Sequence, residues 1–430
     1  MIPVADAIQI VLDQTTTLPA ESVALADALG RILAEDIVAD TDLPPFDRAQ
    51  MDGYALRAAD VASTPARLRI VGESAAGAGW HHEMKAGEVV RIMTGAPVPA
   101  GADAVQQVEL TREVDGAGFV EILEAVKAGR SIVKQAAEIK VGETVLCAGE
   151  EINAAMIATL ASFGYARVKV GRRPRVSVMA TGSELVDVSH KPGRDQIRDS
   201  NNYTIATYAS LAGATVERLP LVGDDTEELK RQIAKAAAAS DVLITSGGVS
   251  MGVYDFTKAA LQELGAEIFF ERVALRPGKP TVFARLGDAL VFGLPGNPVS
   301  VAVTFNLFAR TALRVMQGAK EATLTADTAV LARDVKGSID RESYLPAILR
   351  TDEKGTLLAE PLKWGGSSDF VSFARTTALI NVPRGVGRIE TGSPVKVLRP
   401  IISEAYALDR QDFFAAFAPL RGNCGSGSKR

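Results

Sequence analysis

At 430 residues the chain is too long for one hydrophobic core, and its length predicts about three domains. The composition, 47% hydrophobic and 23% charged with a formal net charge of -5, is that of a globular protein. No Lys/Arg block occurs, which argues against a general nucleic-acid surface. The two cysteines, Cys147 and Cys424, form no disulfide framework and fit no zinc spacing. Such sparse usage suits a reducing compartment, so a cytoplasmic location is expected. No apolar run approaches the roughly 20 residues of a bilayer span, and MIPVADAIQIVLDQ lacks the basic start of a signal peptide.

Val4, Ile8, Val11 and Leu12 share one helical stripe, which predicts a docked amphipathic helix over Val4–Thr15. A second helix is expected around Val23–Ala28, then an extended AEDIVA stretch. Pro44 and Pro45 stop the preceding structure, and Asp52-Gly53 in PPFDRAQMDGYAL marks a turn. From Leu68 to about Ile139, short alternating strands (RLRIVGES, VVRIM, AVQQVEL, FVEIL) predict an all-β insertion. Residues 1–45 with 140–171 thus form an N-terminal linker and helical domain, and residues 46–139 a β-rich insertion.

Over residues 172–318, apolar strands (RVSVMA, TVERLPLV, DVLITSGG, TVFARL, ALVFGLPG) alternate with helical patterns at Asn201–Ala212, Glu227–Ala239, Phe256–Leu264 and after Pro298. This predicts βαβ units and a parallel sheet, with ligands outside the carboxyl ends of the strands. Residues 319–402 (TAVLA, SYLPAIL, TLLAEPL, ALINVP, PVKVLRP) predict a small β-barrel or sandwich. Residues 403–430 carry one aromatic helical pattern, DFFAAF, and end in a tail of disordered composition. The fold class is α/β plus β, multi-domain, with a central βαβ domain.

The strand-end loops hold the chemistry. In TSGGVSMG, Ser246, Gly247, Gly248 and Ser250 let backbone N–H groups face an anion at a helix N-terminus. A ligand-free strand-to-helix turn needs the same glycines. Asp255 is placed to cap the helix that begins at Phe256. Glu184, Asp224 and Asp225 lie on separate loops at one sheet edge, where carboxylates build hard-cation sites around pyrophosphates. Each alone also reads as a helix cap or a solvated charge. Arg276 and Lys279, spaced across a Pro-Gly turn, suit a tetrahedral dianion. Pro295 and Pro298 lock a second loop, with Ser300 in the helix that follows, which suggests a pre-formed pocket. His81, His82 and His190 show no metal spacing and read as surface residues.

In order, PPFDRAQMDGYAL, IMTGAPVPAGADAV, ATGSEL, RDQIRDSN, ITSGGVSMG, RPGKP and LPGNPVS resemble the motif set of the MoeA family, the molybdopterin molybdenumtransferases, shared with the E-domain of gephyrin. The resemblance runs from about Val4 to Ile402. It implies a Mg²⁺-assisted enzyme that inserts molybdate into the dithiolene of adenylylated molybdopterin and releases AMP. It also implies a four-domain chain in an elongated homodimer, with the site between the βαβ domain of one chain and motifs of the other.

Carried over residue by residue, the resemblance puts Asp52 and Thr94 on the partner-chain side of the cleft, and Glu138 among the substrate-binding residues. Glu184, Asp224, Asp225 and Asp255 would hold the pterin, the nucleotide or Mg²⁺, the three aspartates being the metal ligands. Ser250 and the neighbouring Ser246, Gly247 and Gly248 would cradle phosphate. Arg276 and Lys279 would face molybdate, Pro295 and Pro298 would shape the pocket, and Ser367 matches a serine close to the oxyanion. The catalytic set is Asp255, Asp225, Glu184, Lys279 and Arg276. No protein nucleophile is assigned, since the attacking sulfurs belong to the substrate. Molybdopterin adenylyltransferase and downstream molybdoenzymes are the implied partners, with no nucleic acid or membrane.

Four departures from the family pattern stand out. Ala49-Gln50 precede Met51 where relatives carry Ser-Ala. VKQAAEI, with Lys134, Ala136, Ala137 and Glu138, replaces an Arg-rich run into Gly-Glu-Asp. Pro346 falls where relatives carry an arginine, and Arg276 where they frequently carry lysine. Fewer arginines imply weaker oxyanion binding. They also motivate an alternative reading, a non-catalytic protein that binds or delivers molybdenum cofactor.

Overall fold

A computed structural model describes residues 1–114, 118–223, 225–248 and 256–400. The expectations for Asp224, Ser250, Asp255 and the DFFAAF helix lie outside the described residues. The chain separates into two compact units, one of Met1–Glu35, Ala148–Ala154 and the chain from Arg167, the other of Asp36–Cys147 and Ala155–Ala166.

The first unit is built on a six-stranded sheet in the order Thr215–Arg218, Arg175–Ala180, Val242–Ser246, Ala289–Leu294, Pro280–Leu286, Glu267–Arg272. The first four strands are parallel, as expected. The last two pairings are antiparallel, since Pro280–Leu286 runs against both Ala289–Leu294 and Glu267–Arg272, which corrects the all-parallel expectation. The cause is local. Gly287 and Asp288 alone separate Leu286 from its partner Ala289, and a two-residue connection can close only an antiparallel hairpin. The edge strand Glu267–Arg272 escaped the sequence reading.

Helices Asn201–Leu211 and Thr226–Ala239 match their predicted spans, and Phe256–Glu263 follows the glycine loop. The helix after Pro298 is longer than foreseen. It runs as α-helix Pro298–Thr304, a π-helical turn Phe305–Ala309 and α-helix Arg310–Met316. By length and composition this 19-residue helix could cross a bilayer, so the expectation of no such run is corrected. Here Val301, Phe305, Phe308 and Leu313 are core residues, packed with Val4, Val11 and the sheet strands. Thr304, Asn306 and Thr311 return their polar groups to the carbonyls of Ser300, Ala302 and Leu307, so burial leaves them paired.

The first helix, Val4–Gln14, forms as predicted and buries Val4 and Val11 of the expected stripe together with Ala7, while Ile8 and Leu12 are half-buried. The second does not form. Ala20–Ala24 is a strand paired antiparallel with Arg167–Gly171, and only the short 3₁₀ turn Leu25–Asp27 follows. Pairing with RVKVG overrides the weak helical pattern. Beyond the sheet, strands Ala326–Leu331, Glu342–Thr351, Leu357–Pro361, Ala378–Val382 and Pro394–Leu398 close into a five-stranded barrel. Its interior holds Leu331, Leu345, Ile380, Val382 and Val397. Tyr344, Leu379 and Leu398 join the α/β core instead, which fixes the barrel to the sheet layer.

The second unit carries its own six-stranded sheet, in the order Ala104–Gln107, Gly53–Leu56, Glu88–Ile92, Ala66–Ser74, Phe119–Ile122, Thr111–Val114. Between Gly53 and Ile122 the described residues form only strands and 3₁₀ turns, as the alternating pattern foretold. Ala136 stands at φ 59, a left-handed conformation that an L side chain adopts at a cost. Ala136→Gly is expected to stabilise this unit by about 0.5–1 kcal/mol, steric relief exceeding the extra chain entropy of glycine. A higher denaturant midpoint with an unchanged slope checks it, and a lower midpoint contradicts it.

Candidate active site

The carboxyl ends of the parallel strands open onto three adjoining cavities. The first, of about 490 Å³, is walled by the RPGKP loop, Asn297 and Ser300 on one side, and by Arg341, Trp364 and Ser367 on the other. The Arg276–Pro277 peptide is cis. Gly278 has φ 112, and a Cβ there would overlap the Thr304 methyl, so only glycine lets the loop pass this closely. Thr281 Oγ1 donates to the Gly278 carbonyl at 2.7 Å, and Arg276 Nη1 donates to the Gly337 carbonyl at 3.3 Å. The loop is therefore held at both ends. The cavity wall is cationic, and among the described residues no carboxylate pairs with Arg276 or Lys279 and none lines it.

Arg341 was not foreseen as a site residue. It reaches the cavity because Leu275–Arg276 pairs in parallel with Glu342–Ser343, an annex that carries the RPGKP loop onto the rim of the barrel. Nothing in the local sequence announces that pairing. Asp340 lies beside Arg341, with Oδ2 3.3 Å from Nε. Pro346 is a buried barrel residue opposite Leu379, so the position supplies no charge here. Arg341 is the third cation of the wall, beside Arg276 and Lys279.

Ser367 is tied to the LPGNP loop twice. Val299 N–H donates to its carbonyl at 3.0 Å, and Asn297 Nδ2 donates to its Oγ at 2.9 Å. Pro298 occupies the first turn of the helix, where its missing N–H costs nothing. Pro295 is buried and lines the first two cavities.

The second cavity, of about 760 Å³, is lined by Gly182, Ser183, Glu184, Gly223, Gly247 and Gly248, with Asn297 again at its edge. Gly247 and Gly248 have φ 88 and 63. Side chains there would overlap Thr181 and Thr257 respectively, so the turn itself demands both glycines. Ser246 is buried and accepts from Asn201 Nδ2 at 3.0 Å, and the same Nδ2 donates to the Gly296 carbonyl at 2.7 Å. Asn201, in the RDSN stretch, thereby fastens the glycine turn to the LPGNP loop. Its role was not foreseen.

The third cavity, of about 850 Å³, is mostly apolar, with Leu185, Val188, Ile197, Tyr203 and Phe370 around Glu184, Asp199 and Asn297. Asp199 is buried, and burial pushes its carboxyl up although Asn202 N–H donates to it at 3.0 Å. A carboxyl that binds its proton more tightly when folded loses stability as pH rises from below the unfolded value through the folded one. Asp199→Asn is therefore expected to raise the thermal midpoint at neutral pH, with the gap closing in acid. Scanning calorimetry across pH checks it; a lower midpoint at neutral pH would contradict it.

Of the expected metal ligands, Asp225 caps the helix Thr226–Ala239, its Oδ1 accepting from Glu227 and Glu228 N–H at 3.0 and 3.1 Å. Asp224 and Asp255 are not described, and the described residues form no cluster of three or more ligating side chains. Glu184 is the carboxylate that faces both the glycine-lined and the apolar cavity.

In the second unit, Asp52 Oδ1 accepts from Thr94 N–H at 2.7 Å and from Thr94 Oγ1 at 2.8 Å. The Thr94 backbone N–H, then its hydroxyl, hold this carboxyl below the usual range. MDGYA and IMTGAP are thus one structural feature, though 42 residues apart in sequence. Glu138 pairs with Arg48 Nη2 at 3.2 Å and is half-exposed. His81, His82 and His190 are exposed, as expected.

A glycine-lined sheet edge joined to a cationic pocket, one wall of it a barrel, defines a multidomain α/β protein. Family models match three consecutive stretches: the MoeA N-terminal region (domain I and II) over residues 2–164, the probable molybdopterin binding domain over 177–315, and the MoeA C-terminal region (domain IV) over 328–399. The molybdopterin molybdenumtransferase of Bacillus subtilis (strain 168) is 38% identical over 403 residues, covering 92% of this chain and 94% of that protein. That of Haemophilus influenzae is 34% identical over 375 residues, covering 87% and 92%. A crystal structure of a molybdopterin biosynthesis MoeA protein from Pyrococcus horikoshii superposes with a TM-score of 0.77 at 32% identity, covering 93% of this chain and 99% of that one. The chain belongs to the MoeA family.

Proposed function

We propose that the chain is a molybdopterin molybdenumtransferase that acts on adenylylated molybdopterin and molybdate and releases AMP. The observation that carries the proposal is the cationic cavity, which adjoins the glycine-lined one through Pro295 and Asn297 in a chain of this family. Arg276, Lys279 and Arg341 would draw in the tetrahedral dianion, and Ser367 would donate to one of its oxygens. N–H groups of the Gly247–Gly248 turn would steady phosphate. Asp224, Asp225 and Asp255 would hold a magnesium ion, whose charge when bound offsets that of the phosphoanhydride, with Glu184 turned to the pterin or the nucleotide. The apolar cavity, with Tyr203, Ile197 and Phe370 on its walls, suits a flat heterocycle. Molybdenum–sulfur bond formation and AMP release would be coupled by proximity, with the dithiolene held beside the oxyanion.

The protein would work as a homodimer, in which Asp52, Thr94 and Glu138 complete the site of the partner subunit. It would take substrate from the adenylyltransferase and pass cofactor to molybdoenzymes in the cytoplasm. The test is to incubate the purified chain with adenylylated molybdopterin, molybdate and Mg²⁺. AMP release above an Asp255→Ala control is expected; tight cofactor binding with no AMP would replace the enzyme by a delivery protein.

A further inference from the structure

Asn297 is the residue that all three cavities share. It occupies the N-cap of the helix Pro298–Thr304, where an asparagine side chain ordinarily turns back to accept from backbone N–H groups. Here it makes no such bond. Its amide instead reaches to Ser367, 70 residues away in sequence, and Nδ2 donates to Oγ at 2.9 Å. A serine hydroxyl has one proton to donate and lone pairs to accept with. Because Asn297 occupies a lone pair, the Ser367 proton stays free for another acceptor. The cavity that Ser367 lines is walled by Arg276, Lys279 and Arg341, so the acceptor it suits is an anion.

We infer that Asn297 is a positioning residue for the oxyanion: it holds Ser367 with the hydroxyl proton turned into the cationic cavity. The inference rests on the proposed reading of that cavity and adds the residue that sets its hydrogen-bond polarity. A structural role and a positioning role predict opposite results for one substitution. Aspartate caps helices as well as asparagine does and suits the positive end of the helix dipole. As a structural residue, Asn297→Asp would be silent or stabilising. As a positioning residue, it would reverse the bond: the carboxylate would accept the Ser367 proton and add negative charge beside an anion.

The experiment is equilibrium binding of molybdate to the purified full chain, combined with thermal midpoints, for Asn297→Asp, Asn297→Ala, Ser367→Ala and the double alanine variant. Asn297→Asp should keep or raise the midpoint and weaken molybdate binding at least tenfold. Asn297→Ala should weaken it several-fold alone and add no further loss in the Ser367→Ala background, since its effect passes through that hydroxyl. The alanine cycle involves no new charge, so it separates hydrogen-bond orientation from simple repulsion. Additive losses in the cycle, or wild-type affinity in Asn297→Asp, would overturn the inference while leaving the oxyanion pocket in place. No saturable molybdate binding by the unmodified chain would remove the pocket reading, and this inference with it.

Discussion

Lys279→Ala is expected to weaken molybdate binding between tenfold and a hundredfold, the equivalent of about 1.5–3 kcal/mol for a hydrogen bond to a charged group. The size follows from the surroundings. Lys279 has no described carboxylate partner, so its charge is not already spent within the protein. Arg276 cannot easily swing over to replace it, because it is braced on the Gly337 carbonyl. Arg341→Ala should cost less, since Asp340 already offsets part of that charge. Lys279→Ala should not lower the thermal midpoint, because removing one of three like charges relieves repulsion, and Arg341→Ala should shift it little, since its solvent-exposed pair with Asp340 contributes little. Isothermal titration with molybdate and a melting curve for each variant check both halves. Loss of binding together with loss of stability would point to a scaffold role for Lys279 instead.

Gly53→Ala is expected to destabilise the second unit by about 3 kcal/mol, the upper end of ordinary overpacking. Gly53 begins a strand held between Ala104–Gln107 and Glu88–Ile92, and a Cβ on it would overlap the carbonyl oxygen of Gln106. Backbone cannot step aside as a flexible side chain can, so the two strands must part. Hydrogen exchange should show protection lost across Gly53–Leu56 and Ala104–Gln107, with the strands of the parallel sheet still protected. Unchanged protection in the second unit would contradict the argument. The result bears on function as well. The glycine of MDGYA, which stands beside the expected ligand-binding Asp52, is required by strand packing whatever Asp52 binds.

The α/β core was legible in the sequence because strands buried on both faces read as unbroken apolar runs. RVSVMA, DVLITSGG and ALVFGLPG announced themselves in this way, and their loops announced the glycine turn. The C-terminal strands were legible as a small barrel or sandwich, and the pairing of Glu342–Thr351 with Ala378–Val382, which no local pattern encodes, decides for the barrel. The sheet edge departs from the parallel expectation because only Gly287 and Asp288 join Leu286 to Ala289, too short a link for a crossover. The missing helix at Val23–Ala28 shows pairing partners overriding a short helical pattern.

Within the site, RPGKP and LPGNP could be singled out from their prolines and charges. Arg341 and Asn297 could not. One depends on a two-residue strand pairing across 67 residues of chain, from Leu275 to Glu342. The other looks like an ordinary helix cap until its side chain is seen to face Ser367. The bond between Asp52 and Thr94, 42 residues apart, has no local signal in either MDGYA or IMTGAP.

The claim on which most depends is that the cavity beneath RPGKP is the seat of the tetrahedral oxyanion. Crystals of the protein soaked in molybdate, with diffraction recorded at the molybdenum absorption edge, test it directly. An anomalous peak bounded by Arg276, Lys279, Arg341 and Ser367 is the predicted result. A peak at another site, with this cavity holding only solvent at saturating molybdate, would contradict it.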